Sequence, residues 1–244
     1  MRHDRPPLRR QRGAALLLLL VVLGLGASSF LISMFSQPKG DWRRQALTRA
    51  ALGDAREALI GYAIVHRRLP RPAISALDGR ESTQPCAGEA GCTGWLPWTT
   101  LGLTPGDGWN KLLRYSVSPE FANGNLDTAV EATKTVLDRL NDGTVFYRVG
   151  SANCRYDDRC AAAVILASGR RLGTSITGIE QADASTDNQD EQANQDAVRE
   201  FMARADTDDV RAIGGSFGNV VGWVPLQLIR TRIRATAPNP NLPR

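Results

Sequence analysis

The sequence predicts an α+β protein in which a long N-terminal helix, transmembrane in its first half and amphipathic in its second, packs on a small antiparallel β-sheet. Three observations carry this expectation. Residues 14–35 contain no charged side chain, and a stretch with helical hydrophobic period follows them. Beyond Pro70, short runs rich in Val, Ile and Thr alternate with turns built on Gly and Pro. The 244 residues, 42% hydrophobic and 23% charged, have the composition of a folded chain with about one core.

Residues 1–13 form a basic leader. Arg2, Arg5, Arg9, Arg10 and Arg12 against Asp4 give it most of the chain's net charge of +5, so the rest is nearly neutral and a basic nucleic-acid-binding face is excluded. From Leu16 through Leu25 to Phe35 the chain is apolar, and at 1.5 Å per residue such a helix spans the roughly 30 Å hydrocarbon layer. The arginines on its N-terminal side put that end in the cytoplasm and everything after Ser36 on the far side, as in a single-pass membrane protein. A cleavable secretory signal ending at Ala27-Ser28-Ser29 is the alternative, although the apolar residues run on past an ordinary signal core. Gly24, Gly26, Ala27 and Ser28 would let this helix pack closely on others, or reflect the ordinary tolerance of membrane helices for glycine.

Residues 36–68 form the amphipathic arm. Asp41 can cap it, Leu47, Ala51, Ala55, Leu59 and Tyr62 draw an apolar stripe, and His66 stands near its C-terminus, where a cation complements the helix dipole. Pro70 and Pro72 end the arm and open the globular region, residues 69–236. Within it Leu112–Val117, Thr144–Val149, Ala161–Leu166 and Asn219–Val224 read as strands, Leu126–Leu140 as an exposed helix, and Leu226–Arg234 as a closing helix. Trp95, Trp98 and Trp109 anchor a core otherwise poor in aromatics. The composition turns acidic over 178–209, which reads as a long surface loop, partly helical around 197–203; residues 237–244 read as a disordered tail.

Cys86 with Cys92 and Cys154 with Cys160 are spaced for two local disulfides in an oxidising compartment; zinc is the alternative, at a spacing wider than structural zinc sites use. His3 and His66 are the only histidines, which leaves no material for a histidine metal cluster or a Ser-His-Asp triad. A hydrolase would have to work with Asp107 or the acidic segment, and their spacing singles out no paired acid and base, so no enzyme is expected.

Arg12-Gly13-Ala14-Ala15-Leu16-Leu17-Leu18 resembles the leader and mature start of type IV pilins and type II secretion pseudopilins. Ala58-Leu59-Ile60-Gly61-Tyr62-Ala63, Leu69-Pro70-Arg71-Pro72, the segment from Leu96 to Leu103, Tyr115-Ser116-Val117-Ser118-Pro119, the segment from Ala163 to Gly169 and Val221-Gly222-Trp223-Val224-Pro225 resemble a group of bacterial prepilin-like proteins. The resemblance implies a pilin-like fold, cleavage between Gly13 and Ala14 by a prepilin peptidase with N-methylation of Ala14, and residence in the bacterial inner membrane with a periplasmic C-terminal domain. It also implies other pilin or pseudopilin subunits as partners. Where members usually carry Phe and Glu at the first and fifth mature positions, this chain has Ala14 and Leu18. Loss of a carboxylate that neutralises a neighbour's amino terminus weakens repeated stacking and implies a minor position, at a tip or in a priming complex.

Several pseudopilins use calcium, and Glu180, Asp183, Asp187, Asp190 and Glu191 supply the hard oxygen ligands Ca²⁺ needs; without the alternating ligands and fixed glycine of an EF-hand, a solvated acidic loop is the other reading. No further cofactor is expected. The function expected is therefore a minor pilin or pseudopilin, a structural component of a type IV pilus or type II secretion filament; the alternative is a membrane-tethered periplasmic binding or scaffold domain with no filament role.

Overall fold

A computed structural model describes residues 18–24, 39–126, 131–154, 159–182 and 187–236. Residues Arg44–Arg244 form one compact unit, and the description below concerns that unit except where it states otherwise. Its helices are α1 (Lys39–His66, whose first turn precedes the unit), α2 (Gly88–Gly91), α3 (Trp98–Leu101), α4 (Pro119–Asn123), α5 (Gln189–Asp196) and α6 (Leu226–Thr236). The strands are β1 (Thr93–Trp95), β2 (Arg114–Val117), β3 (Thr135–Arg139), β4 (Val145–Val149), β5 (Ala161–Ala167), β6 (Gly173–Thr174), β7 (Glu180–Gln181), β8 (Glu200–Met202) and β9 (Val220–Pro225).

The main sheet has the order β1-β2-β5-β9 and is antiparallel throughout, with Tyr115 opposite Ile165 and Ile165 opposite Gly222. Its middle strand β5, Ala-Ala-Ala-Val-Ile-Leu-Ala, is buried over its whole length because both faces are covered. Ala163, Ile165 and Ala167 turn to the side where α1 places Leu52, Ala55, Leu59, Ile60 and Ala63 and α6 adds Ile229 and Ile233. Val164 turns the other way, against Val136 and Phe201 of a second sheet of order β4-β3-β8, in which β8 runs parallel to β3. Helix, sheet and sheet thus stack in three layers, with β5 side chains from Ala163 onward turned alternately to the two faces.

The expected long N-terminal helix is corrected here. The described helices near the N-terminus are a short segment at 18–24 and α1, and no helix among the described residues is long and apolar enough to cross a membrane. The physical reason lies in charge: α1 carries Asp41, Arg43, Arg44, Arg49, Asp54, Arg56 and Glu57. The single-pass inner-membrane location expected from the sequence falls with that helix. Gly13, Ala14, Gly26, Ala27 and Ser28 lie outside the described residues, as does the tail 237–244, and Gly24 ends the segment 18–24.

Other expectations shift in detail. The buried face of α1 runs through Thr48, Leu52, Ala55, Leu59 and Ala63, leaving Leu47 half exposed, because Gly108 lies against the backbone of Arg44 and donates its N–H to Thr48 Oγ1 at 3.1 Å. A Cβ at Gly108 would stand 2.0 Å from the Arg44 carbonyl oxygen, so the approach requires glycine. The stretch expected as a helix over Leu126–Leu140 contains β3 instead: β-branched Thr135 and Val136 suit a strand, and Val136 is fully buried between the sheets. The acidic stretch 178–209 is structured by α5, β7 and β8 rather than forming one long loop, and the part read as helical near 197–203 carries β8.

Candidate functional site

Two of the carboxylates expected to bind calcium, Asp190 and Glu191, are engaged by arginines. Asp190 is buried and held on two sides by cations: Arg139 donates from Nη2 at 2.8 Å and Nε at 3.1 Å, and Arg204 Nε stands 2.7 Å from Oδ2. Glu191, 1% exposed, receives Arg171 at 3.1 Å and 3.3 Å, the Asn188 amide at 3.0 Å and the Gly218 N–H at 2.6 Å. Glu180 and Asp187 are exposed, and Asp183 lies outside the described residues. Arginine charge and N–H groups take the lone pairs of Asp190 and Glu191, which stand in structural ion pairs. No group of three or more His, Cys, Asp or Glu residues among the described residues is placed to hold a metal.

The segment is instead clamped by its own backbone. Asp190 and Asp187 lie so close to the chain that a Cβ at Gly214 would be 2.0 Å from Asp190 Oδ2, and one at Gly215 2.0 Å from the Asp187 carbonyl oxygen. Both glycines also have positive φ, +86° and +79°. Asn194 completes the clamp: its amide donates to the Met202 carbonyl and accepts the Met202 N–H, at 2.9 Å and 2.8 Å, tying α5 to β8. Nothing in the acidic composition signalled the arginine partners, which come from β3, from the loop after β5 and from the segment after β8.

Both cysteine pairs are disulfides, Cys86–Cys92 and Cys154–Cys160. Between the elements they brace lies Lys134, which the sequence reading missed because one lysine carries no pattern. Its side chain is fully buried, Nζ donates to the Val198 carbonyl at 2.7 Å and pairs with the Glu89 carboxylate beside Cys92. Burial pushes the ammonium down to about 8 against the pull of Glu89. A second, half-buried charge, Glu81, gathers Arg68, the Arg71 N–H at 2.9 Å and the Tyr62 hydroxyl at 2.7 Å. Burial and the Glu81 carboxylate push the Tyr62 hydroxyl up to about 12.

Asp107 forms a loop rather than an acid-base pair. Its Oδ1 accepts the N–H groups of Trp109 and Lys111 at 2.9 Å and 3.1 Å, and burial raises its carboxyl despite them. Trp98 is buried on the backbone of Gly79, whereas Trp95 and Trp109 are half-buried. His66 stacks on Tyr62 with ring centroids 4.0 Å apart at the end of α1. What the described residues offer chemically is therefore a set of internal ties and a long helix seated on a sheet. No protein-family model, no curated protein and no solved structure matches the chain.

Proposed function

We propose that the chain is a minor pilin or pseudopilin, a structural subunit of a type IV pilus or type II secretion filament. The observation that supports this reading is α1: a 28-residue helix at the N-terminal side of the globular region that buries Leu52, Ala55, Leu59 and Ala63 on an antiparallel sheet and leaves Leu47 and Val65 exposed. A helix held so firmly along one face is a rigid lever with a second face free for neighbouring subunits. The glycine junction Arg12-Gly13-Ala14 adds a processing site on the same side of the chain, and Leu18 in place of the usual glutamate favours a tip or priming position over the repeating body of a filament.

In this reading the partners are other pilin subunits and a prepilin peptidase, and the two disulfides brace the globular part. The experiment is mass spectrometry of the N-terminus of the protein purified from its native host, with cross-linking to identify neighbours. A mature chain that starts at N-methylated Ala14 and cross-links to pilin subunits is expected. A chain that keeps Met1, or one cut near Ser29, overturns the proposal.

A further inference from the structure

The main sheet ends on one side in β1, three residues long, and on the other in β9, six residues long. β9 pairs inward with β5 from Val220 to Pro225, and among the described residues no strand pairs with its outer side. Its sequence, Val-Val-Gly-Trp-Val-Pro, carries no charge. Proteins ordinarily blunt such an edge with a lysine, a bulge or a covering element, because unpaired N–H and C=O groups on an apolar strand are a template for another chain.

The charge lies beside the strand. Arg49 and Arg56 of α1, with Leu52 and Gly53 between them, face residues 220–223 across a groove of about 370 Å³. Both arginines are exposed. Two glycines keep the groove open: a Cβ at Gly53 would meet nothing within 4 Å, and one at Gly222 would come to 3.8 Å from Leu52. Arg49 and Arg56 are separated along the helix by roughly 10 Å, a span between two and four residues of extended chain at about 3.3 Å each. The groove therefore has an unpaired strand edge along one wall, a floor of small and apolar residues, and two cations within side-chain reach of an extended chain laid along it.

We propose that the outer edge of β9 receives an extended, acidic segment of a partner protein, which adds to the sheet as a fifth strand and sets its carboxylates against Arg49 and Arg56. The strand supplies sequence-independent affinity and the arginines choose acidic segments over others. This site does not depend on the filament reading, since the groove lies wholly within the globular unit.

The probe is a fluorescein-labelled octapeptide, Gly-Glu-Val-Glu-Val-Glu-Val-Gly, titrated against the full chain by fluorescence anisotropy beside the same peptide with Lys in place of Glu. The acidic peptide is expected to bind and the lysine peptide to fail. The variant R49E/R56E should weaken the acidic peptide by about tenfold or more, with its melting midpoint compared with wild type to show that it folds. Two further acidic peptides, N-methylated on alternate amides in the two possible sets, test the strand itself: one set should lose binding and the other retain it. Equal binding of acidic and basic peptides, no binding of the acidic one, or indifference to both methylation sets overturns the proposal; the methylation pair decides the matter even if the double variant fails to fold.

Discussion

Lys134 makes the stability of this protein depend on alkaline pH in a direction opposite to that of most surface lysines. In the folded chain the ammonium loses its proton near 8, because its burial outweighs the attraction of Glu89, whereas in the unfolded chain it does so near the ordinary 10.5. Between these values the unfolded state holds more protons, so stability rises with pH; below about 8 both states are charged and the penalty is constant. The depression corresponds to about 3 kcal/mol. Glu89→Gln removes the countercharge and leaves a buried ammonium with only neutral oxygens, the Val198 carbonyl and the new amide, as acceptors; it should cost about 2 to 3 kcal/mol at pH 7. Lys134→Met keeps the stem and removes the charge, while Glu89, 23% exposed and 3.9 Å from Arg199, retains water and a cation; its cost should stay within about 1 kcal/mol. Urea unfolding at pH 7 and pH 9.5 reads both effects. Wild type should gain stability at the higher pH relative to Lys134→Met. A Glu89→Gln chain as stable as wild type at pH 7, or parallel behaviour of wild type and Lys134→Met across the two pH values, would refute the reasoning.

Three other outcomes are expected. Burial alone would raise the Glu81 carboxyl, but Arg68, the Arg71 N–H and the Tyr62 hydroxyl hold it below its ordinary value, so its contribution is present at neutral pH and lost as pH falls through the folded value; Glu81→Gln should cost about 1 to 2 kcal/mol at pH 7, and urea melts at successively lower pH should show that cost shrinking once the pH is below the ordinary carboxylate range. Reduction of the two disulfides, each closing a separation of six residues, should remove about 2 kcal/mol apiece by loop entropy, read as the drop in urea midpoint with and without dithiothreitol. Gly108→Ala forces a Cβ to within 2.0 Å of the Arg44 carbonyl oxygen and should lower the thermal midpoint by the equivalent of about 3 kcal/mol, whereas Gly53→Ala, open on every side, should leave it unchanged or raise it.

Period and punctuation made much of this architecture readable. β2, β4, β5 and β9 lie where apolar and β-branched runs end at Gly or Pro, and α1 and α6 begin and end within a few residues of their pattern limits. The two disulfides lie at the cysteine pairs whose local spacing pointed to them. The stripe on α1 was misread because Leu47 and Thr48 are adjacent on the helix surface, and a distant loop, not hydrophobicity, decides that Thr48 is the one buried. β3 was hidden by Glu131, Asp138 and Arg139, which read as a polar helical surface until Asp190 and Arg148 neutralise two of them from elsewhere in the chain. The pairing of Asp190 and Glu191 was hidden for the same reason: a count of carboxylates along the sequence carries no information about which arginines fold back onto them.

The place of β5 in the sheet also sets a timetable. Its partner β2 has already been synthesised when β5 emerges, but its other partner, β9, is the last of the described strands, and α6, whose Ile229 and Ile233 seal the core, follows it. A chain growing from its N-terminus can assemble α1, β1, β2 and β5 while β5 still presents a bare edge of Ala, Val, Ile and Leu. Completion waits for release of the C-terminal end, as expected for a topology rich in distant contacts. A premature stop before Val220 would thus do more than shorten the protein: it would leave a permanently open apolar edge and convert a late folding step into an aggregation site.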